Sequence, residues 1–255
     1  MVKQGRVAQT RSCAELDERW ARSAPARAAR ALILGGFFEP VLAWYTARTV
    51  HGTEALRAID GPVVLVANHA SHIDTPLILR ALPGARRRRT AVAAAADYFY
   101  ADRRSASLVS LAFNTVPVRR AGGGTDDLAH VHELLAGGWS LLMYPEGTRT
   151  GGGPGPDQGR MRTGAAVLAA QHGLPVVPVH LSGTKTAMPP GQVWPRRRIG
   201  QDRHPVRIAF GAPIRPGDAD DRHDTIERVQ AFFATQDATL APGAPVPAPE
   251  PVCAR

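Results

Sequence analysis

A histidine and an aspartate follow an apolar run that is typical of a buried strand. The run Pro62–Ala67 precedes His69 and Asp74, and polar ligand sites collect where strands leave a sheet. On a regular helix, five residues would place the two side chains about 140° apart, so they could not meet on one helix. Pro76 suits the first turn of a helix that Thr75 can cap. His69 would then lie in the preceding turn, where the Asp74 carboxylate can fold back onto an imidazole nitrogen.

This arrangement predicts a general-base site. The carboxylate of Asp74 would orient the His69 ring and stabilise its protonated form, leaving the other ring nitrogen to take a proton from a substrate hydroxyl. A histidine that only bonds the backbone or caps the helix is the alternative, and the spacing alone does not exclude it. Ser71 lies beside His69, but the sequence contains no GxSxG segment to expose a serine nucleophile. We therefore expect direct transfer without a covalent enzyme intermediate.

Two more strand-like runs end in polar residues. Thr115–Val118 is followed by Arg119 and Arg120, and a guanidinium can hold a phosphate through two hydrogen bonds. Ser140–Tyr144 opens into Pro145–Thr150, which brings a carboxylate, a glycine and an arginine into one turn. Solvated arginines or an exposed ion pair would give the same pattern, so neither motif is specific when taken alone.

Together the motifs resemble those of the glycerolipid acyltransferases, in particular the lysophosphatidic acid acyltransferases. Four blocks occur in the family's order, and they extend over about Val63 to Leu181. They are NHxxxxD at Asn68–Asp74, the arginine block at Asn114–Arg120, PEGTR at Pro145–Arg149, and Val-Pro-Val at residues 177–179. The joint match is far more specific than any single block.

The resemblance implies that His69 is the general base and Asp74 its partner. It implies a substrate-binding set of Asn68, Ser71, Thr115, Arg119, Glu146, Gly147, Thr148, Arg149 and Arg162. Three positions depart from the family pattern: Asn114 replaces a common glycine, Tyr144 the usual phenylalanine before Pro-Glu-Gly, and Arg162 the lysine of Phe-Lys-x-Gly. Arg162 keeps the charge, whereas Asn114 leaves the choice of acceptor open.

No metal and no cofactor are expected. His130, His132 and Glu133 lie in a helical stretch that has no HExxH motif and no cysteine beside it, which favours a surface helix over a metal site. The only cysteines, Cys13 and Cys253, lie near opposite ends of the chain, so no disulfide framework is indicated.

The elements that must position these residues alternate between β-rich and helical runs. With 255 residues, 44% of them hydrophobic, the chain is long enough for one well-buried domain. The alternation predicts an α/β domain with a mixed, largely parallel sheet covered by helices. The predicted strands are Pro62–Ala67, Thr90–Ala96, Thr115–Val118, Ser140–Tyr144, Val176–Leu181 and Val206–Phe210. The alanines of Thr90–Ala96 also leave a helix open for that segment. The predicted helices are Pro76–Leu82, Ala106–Phe113, Thr125–Ala136, Thr163–His172 and Asp221–Phe233.

An amphipathic helical segment is expected before this domain. Arg19–Tyr45 mixes arginines with aromatic and aliphatic residues, a composition typical of helices in a lipid interface, although a surface helix packed on the core would look similar. Its apolar part is interrupted by Glu39 and Pro40 and is shorter than the roughly 20 residues of a spanning helix. The expected layout is an N-terminal tail at 1–18, a membrane-associating segment at 19–48, an acyltransferase domain at 49–237 and a disordered Ala/Pro tail at 238–255.

The charge balance indicates an anionic partner. The formal net charge is +9, and Arg86–Arg89 and Arg196–Arg198 form basic clusters that either contact anionic lipid head groups or are simply solvated. No nucleic-acid-binding module is visible, so nucleic acid is not an expected partner. We expect peripheral contact with an anionic membrane at its cytoplasmic face.

The predicted function is acyl transfer from an acyl thioester, either acyl-CoA or acyl carrier protein, to a hydroxyl of a lysophospholipid. The resemblance favours 1-acyl-glycerol-3-phosphate as the acceptor and phosphatidic acid as the product. A specialised lipid or natural-product hydroxyl or amine is an alternative acceptor. A non-catalytic basic protein that binds membrane or nucleic acid is the alternative from another class.

Overall fold

The structure is a computed structural model that describes residues 13–100, 102–119, 128–145, 161–189, 191–192, 194–198, 200–215 and 222–239. Within these ranges, seven strands form one sheet. In chain order they are β1 (Thr46–His51), β2 (Val64–Ala67), β3 (Thr90–Ala95), β4 (Thr115–Val118), β5 (Ser140–Met143), β6 (Val176–Ser182) and β7 (His204–Phe210).

The spatial order of the strands is β1-β7-β6-β2-β5-β3-β4. Strands β6, β2, β5, β3 and β4 pair in parallel, whereas β7 pairs antiparallel with β6 and parallel with β1. The prediction of a mixed, largely parallel sheet is confirmed. Because β2, β5, β3 and β4 run in the same direction, the residues that follow them emerge at one edge of the sheet, where ligand sites form.

Twelve α-helices surround the sheet in the described part of the chain. They are α1 (Cys13–Leu16), α2 (Ala24–Leu32), α3 (Glu39–Tyr45), α4 (Thr53–Arg57), α5 (Asp74–Ala81), α6 (Gly84–Arg88), α7 (Ala96–Phe99), α8 (Arg103–Phe113), α9 (Ala129–Ala136), α10 (Gly164–Gln171), α11 (Thr184–Ala187) and α12 (Arg222–Ala238). A 3-10 turn at Arg19–Arg22 precedes α2, and a π-helix at Ile33–Phe38 joins α2 to α3.

The sheet is covered on both faces, as the run of buried residues in β2 requires. Leu65 belongs to one core cluster together with Leu77 of α5. Val64 belongs to a second cluster with Ala169 of α10 and Val229 of α12. Successive β2 side chains therefore point to opposite helix layers, and the strand is held rigidly beneath the residues that follow it.

Two predicted boundaries differ from the structure. The boundary between residues 48 and 49 falls inside β1, which pairs with β7 along its whole length from Thr46 to His51. Within the predicted tail 1–18, Cys13–Leu16 forms α1 and Cys13 is fully buried. Residues 240–255, most of the predicted C-terminal tail, lie outside the described residues.

Three side chains of the Arg86–Arg89 cluster, predicted either to contact lipid head groups or to be solvated, bond to backbone carbonyls. Arg86 donates hydrogen bonds to the carbonyls of Leu56, Ile59 and Gly61. Arg87 donates to the Arg80 carbonyl and Arg89 to that of Gly137. These guanidiniums satisfy backbone carbonyls at chain turns, so their first role is structural.

Contacts made by three arginines fasten the N-terminal helices to the domain. Arg30 of α2 is buried and donates to the carbonyls of Ala21, at 2.7 Å, and Ser110 of α8, at 2.9 Å. Burial lowers the pKa of Arg30 to about 10. In α3, the Glu39 carboxylate pairs with Arg48 of β1 and with Arg80 at the end of α5. The helix that carries Asp74 is thus tied at its other end to the N-terminal segment.

Replacing Glu39 by glutamine is expected to destabilise the protein at neutral pH. Hydrogen bonding to Arg48, with Arg80 contributing less, lowers the pKa of Glu39 from 4.5 to about 2 in the folded protein. A carboxyl whose folded pKa is depressed stabilises the fold above its unfolded pKa, and this stabilisation is lost as the pH falls from 4.5 towards 2. Urea unfolding from pH 7 to pH 2 should therefore show a lower midpoint for Glu39→Gln at pH 7 and a smaller acid-induced loss than in wild type. Glu54→Gln, which alters an exposed pair with Arg57, is the control and should match wild type; equal acid sensitivity of all three proteins would contradict the assignment.

Candidate active site

A cavity of about 650 Å³ opens at the carboxyl edge of the parallel strands. Its wall is mostly apolar, with residues from β3, the π-helix, α8 and α10. The polar or charged members of the wall include His69, His72, Thr75, Arg119 and Arg162. A large apolar cavity with a few convergent polar groups is the expected form of a small-molecule site.

His69 and Asp74 are in contact at this cavity. The Asp74 Oδ2 atom lies 2.9 Å from His69 Nδ1 and also accepts hydrogen bonds from the amides of Ala70 and Ser71, both at 2.7 Å. The Asp74 side chain is fully buried, whereas that of His69 is 20% exposed. With Asp74 ionised, the contact places the imidazole proton on Nδ1, which leaves Nε2 as the basic nitrogen. The contact predicted from the turn is present, and the catalytic role of the pair stays a prediction.

Helix α5 begins earlier than predicted. It starts at Asp74, and Ile73 at the N-cap provides no side-chain cap. The carboxylate of Asp74 turns back onto the amides of Ala70 and Ser71 and holds the preceding turn instead. The predicted capping role of Thr75 is wrong, because its hydroxyl lies 2.8 Å from the hydroxyl of Tyr144.

Tyr144 follows β5 and packs directly on His69. The two ring centroids are 4.2 Å apart and the ring planes differ by 27°, which is a stacked arrangement. Burial raises the pKa of Tyr144, and the negative charge of Asp74 raises it further, so the phenol stays neutral. Tyr144 therefore contributes a neutral hydroxyl and an aromatic face beside the imidazole.

Asn68 and Ser71 hold the turn through hydrogen bonds to backbone groups of other segments. Asn68 donates from Nδ2 to the Leu181 carbonyl at 2.9 Å and accepts at Oδ1 from the Leu181 amide at 2.7 Å, so its side chain extends the pairing of β2 with β6. The Ser71 hydroxyl is buried and donates to the Met188 carbonyl at 2.8 Å. Backbone groups therefore take up part of the hydrogen-bonding capacity of both side chains, and their predicted substrate-binding role stays a prediction.

The other members of the predicted binding set divide into three groups. Thr115 lines the cavity, but its hydroxyl belongs to a buried cluster with the hydroxyls of Tyr100 and Ser110. Arg119 and Arg162 are exposed and lie in the cavity wall, and their role in substrate binding stays a prediction. The four residues of the third group, Glu146, Gly147, Thr148 and Arg149, lie outside the described residues.

Asn114 has a backbone explanation. It ends α8 in the left-handed conformation, with φ of 55°, and its side chain donates to the Thr90 carbonyl at 3.0 Å. Glycine is the usual residue at such a helix end and asparagine is the next most suitable. The asparagine at this position therefore reflects chain geometry and does not bear on the choice of acceptor.

The residues from the predicted surface helix do not come together. His130 is buried with Nε2 2.8 Å from the Pro117 carbonyl, His132 contacts His172, and Glu133 pairs with Arg19. Across the described ranges, no group of three or more His, Cys, Asp or Glu side chains could hold a metal ion.

His72, Phe37 and Trp194 are cavity residues that the sequence analysis did not assign to the site. His72 lies in the same turn as His69, so proximity alone was its signal. Phe37 and Trp194 are about half exposed and their ring centroids are 6.2 Å apart. They mark where the cavity meets solvent, and no sequence spacing links two residues so far apart in the chain.

This fold and site agree with the sequence comparisons. The profile of the family described as Acyltransferase matches residues 47–182, which is more than half of the chain, and the chain belongs to that family. It is 29% identical over 150 residues to the 1-acyl-sn-glycerol-3-phosphate acyltransferase BAT2, chloroplastic, of Brassica napus, a match that covers 56% of this chain and 39% of that protein.

A second sequence relative and one solved structure are also similar to this chain. The chain is 29% identical over 180 residues to the 1-acyl-sn-glycerol-3-phosphate acyltransferase LPAT1, chloroplastic, of Arabidopsis thaliana, covering 67% of this chain and 44% of that protein. The chain thus spans less than half the length of these curated relatives. The crystal structure of the 1-acyl-sn-glycerophosphate (LPA) acyltransferase PlsC from Thermotoga maritima superposes with a TM-score of 0.58 at 22% identity, covering 87% of this chain and 84% of that one. This last likeness concerns the fold.

Proposed function

We propose that this protein transfers an acyl group from an acyl thioester to the hydroxyl of a lysophospholipid, with 1-acyl-glycerol-3-phosphate as the preferred acceptor. The observation that carries the proposal is that His69, which lies in the wall of a large apolar cavity, contacts the fully buried carboxylate of Asp74. Membership of the Acyltransferase family and similarity to two proteins named as 1-acyl-sn-glycerol-3-phosphate acyltransferases support it.

In the proposed reaction, His69 acts as a general base through Nε2. It takes the proton of the acceptor hydroxyl as that oxygen attacks the thioester carbonyl, and Asp74 stabilises the imidazolium that forms. The new C–O bond forms and the C–S bond breaks. The imidazolium then returns the proton to the leaving sulfur, giving an ester and a free thiol. The reaction written in this way involves no change of oxidation state and no metal ion.

The charged part of the cavity wall suits a phosphorylated acceptor. Arg119 and Arg162 lie in the same wall as His69, and guanidinium groups bind phosphate through paired hydrogen bonds. Holding the phosphate would fix the attacking hydroxyl near Nε2, which is catalysis by positioning. The apolar remainder of the cavity offers room for hydrocarbon. The donor is proposed as an acyl thioester of coenzyme A or of acyl carrier protein.

Thiol release in the presence and absence of acceptor tests this function. Purified protein is incubated with palmitoyl-CoA or palmitoyl acyl carrier protein, with and without 1-oleoyl-glycerol-3-phosphate, and both the thiol and the lipid product are measured. Release that depends on the acceptor and yields phosphatidic acid supports the proposal. Thiol release that occurs only with a different lysophospholipid would assign that lipid as the acceptor. A protein that binds these lipids and releases no thiol with either donor would instead be the non-catalytic alternative.

We further propose peripheral contact with an anionic membrane through an interfacial surface made of Leu32, Phe37, Trp44 and Trp194. Leu32 is 76% exposed and Trp44 58% exposed. The Trp194 Nε1–H group donates to the Tyr45 hydroxyl at 3.0 Å. This hydrogen bond fastens the segment that carries Trp194 to the end of α3. Aromatic residues with a polar tip favour the head-group region of a bilayer.

A basic side chain accompanies this surface. The Arg197 guanidinium lies 5.2 Å from the Trp44 ring centroid and donates to the Trp44 carbonyl at 2.7 Å. It is therefore held where an anionic head group would lie if Trp44 enters the interface. None of the helices in the described ranges is long and apolar enough to cross a membrane. The surface also borders the cavity at Phe37 and Trp194, so a lipid substrate would have a short path from the bilayer.

The double substitution Leu32→Ser and Trp44→Ser is expected to weaken vesicle binding at least about tenfold, because two large apolar side chains would no longer enter the interface. Co-sedimentation with phosphatidylglycerol vesicles measures the partition coefficient. The control is Leu108→Ser, which removes an exposed leucine of α8 that is not one of the four residues of the interfacial surface and should bind like wild type. Unchanged binding of the double variant would show that this surface does not face the membrane.

A further inference from the structure

Tyr144 connects three separate parts of the proposed active site. It leaves the end of β5, its ring stacks on His69 in the turn after β2, and its hydroxyl lies 2.8 Å from Thr75 Oγ1 in the first turn of α5. Thr75 is the immediate neighbour of Asp74. The ring thus spans the two chain segments that carry the proposed base and its carboxylate.

The stack complements the hydrogen bond from Asp74. A hydrogen bond at Nδ1 fixes one atom of the imidazole but still lets the ring rock about that contact. An aromatic face 4.2 Å away and nearly parallel removes this remaining freedom, because tilting the imidazole would drive its edge into the phenol ring. The direction of Nε2 is then set by two contacts from different segments.

The hydroxyl of Tyr144 in turn holds the phenol ring. Its partner Thr75 is part of α5, whose far end is tied through Arg80 to Glu39. A phenylalanine at position 144 would keep the stack and lose this tie. The two functions of the side chain, stacking and anchoring, can therefore be separated by substitution.

We propose that Tyr144 is a positioning residue for His69: its ring sets the imidazole plane, and the hydroxyl bond to Thr75 sets the ring. The catalytic consequence rests on the proposed acyl-transfer function. The scheme gives Tyr144 no proton to transfer: its hydroxyl contacts Thr75, and burial raises the pKa of the phenol, which makes it a weak acid.

Three substitutions separate the contributions. Tyr144→Phe should keep kcat within about threefold of wild type, because the stack remains. Tyr144→Leu and Tyr144→Met remove the ring and should lower kcat by about 10- to 100-fold with KM for both substrates nearly unchanged, since a misdirected base costs rate rather than binding. Two non-aromatic residues of different shape are used so that one of them folds with a wild-type melting temperature.

A readout that does not need turnover is the NMR spectrum of the His69 imidazole, assigned by its loss in His69→Gln. Protons above an aromatic face are shielded, so the His69 ring signals should be shifted upfield in wild type and Tyr144→Phe and should lose that shift in the Leu and Met variants. If no acyl transfer occurs in wild type, the proposed function fails while the spectra still decide whether Tyr144 holds the ring.

Other outcomes would overturn the proposal. A Leu or Met variant with wild-type kcat and a raised KM would make Tyr144 part of the substrate wall. A Tyr144→Phe enzyme that keeps the upfield imidazole shift and is still as slow as the Leu variant would assign the chemistry to the hydroxyl itself. Identical imidazole shifts in all variants would show that the stack does not form in solution.

Discussion

Replacing His69 by alanine is expected to lower acceptor-dependent thiol release by about 10²- to 10⁴-fold, the usual contribution of a positioned general base. The reason is geometric: Nε2 belongs to an imidazole that is held by Asp74 at Nδ1 and stacked on Tyr144. Without it, the acceptor hydroxyl must lose its proton to water while the thioester and phosphate stay bound. The loss should appear in kcat, measured with acyl thioester and lysophosphatidic acid at saturation.

The matched control for this substitution is His72→Ala. His72 lies in the same turn and the same cavity wall, but the proposed reaction gives it no proton to carry. The His72→Ala variant should keep kcat within about tenfold of wild type, because the substitution changes only the shape of the cavity wall. Added imidazole should restore part of the activity of His69→Ala by filling the space left by the ring. A His69→Ala protein with wild-type kcat, or a His72→Ala protein that is equally impaired, would remove His69 from its assigned role.

Local sequence patterns predicted much of the sheet and its direction. Thr115–Val118 has the same bounds in the prediction and the structure, and the buried run ending at Ala67 is β2. Strand β1 was missed because Thr46–His51 follows an aromatic helical segment and shows little apolar alternation. Its strand conformation comes from pairing with β7, more than 150 residues later in the chain. Pairing partners at that separation leave no local pattern.

The site was predictable to the extent that its residues follow neighbouring strands. The contact between His69 and Asp74 follows from their spacing around a turn, and Arg119 and Arg162 share one cavity wall with His69. The structural use of Asn68 was not predictable, since its partner Leu181 is 113 residues away. An asparagine side chain can bond either to a ligand or to the backbone. Its role cannot be assigned from sequence until the fold shows which of the two lies within hydrogen-bond distance.

Asp74→Asn is expected to lower kcat by about 10²- to 10⁴-fold while leaving the shape of the turn largely in place. Asparagine is nearly the same size, and its amide oxygen can still accept from the backbone of Ala70 and Ser71. It carries no charge, however, so the imidazolium formed during proton transfer loses its stabilising partner.

The same substitution should reduce stability, because one carboxylate oxygen accepts three hydrogen bonds in a fully buried position. Charge-assisted hydrogen bonds are worth roughly 1.5–3 kcal/mol each, so a lower unfolding midpoint is expected. Asp102→Asn is the control: Asp102 caps α8 at the surface through Ser105, so its loss should affect stability slightly and leave kcat unchanged. If Asp74→Asn instead lost stability and kept wild-type kcat, Asp74 would be a structural carboxylate, and the proton transfer would have to be assigned to His69 acting without it.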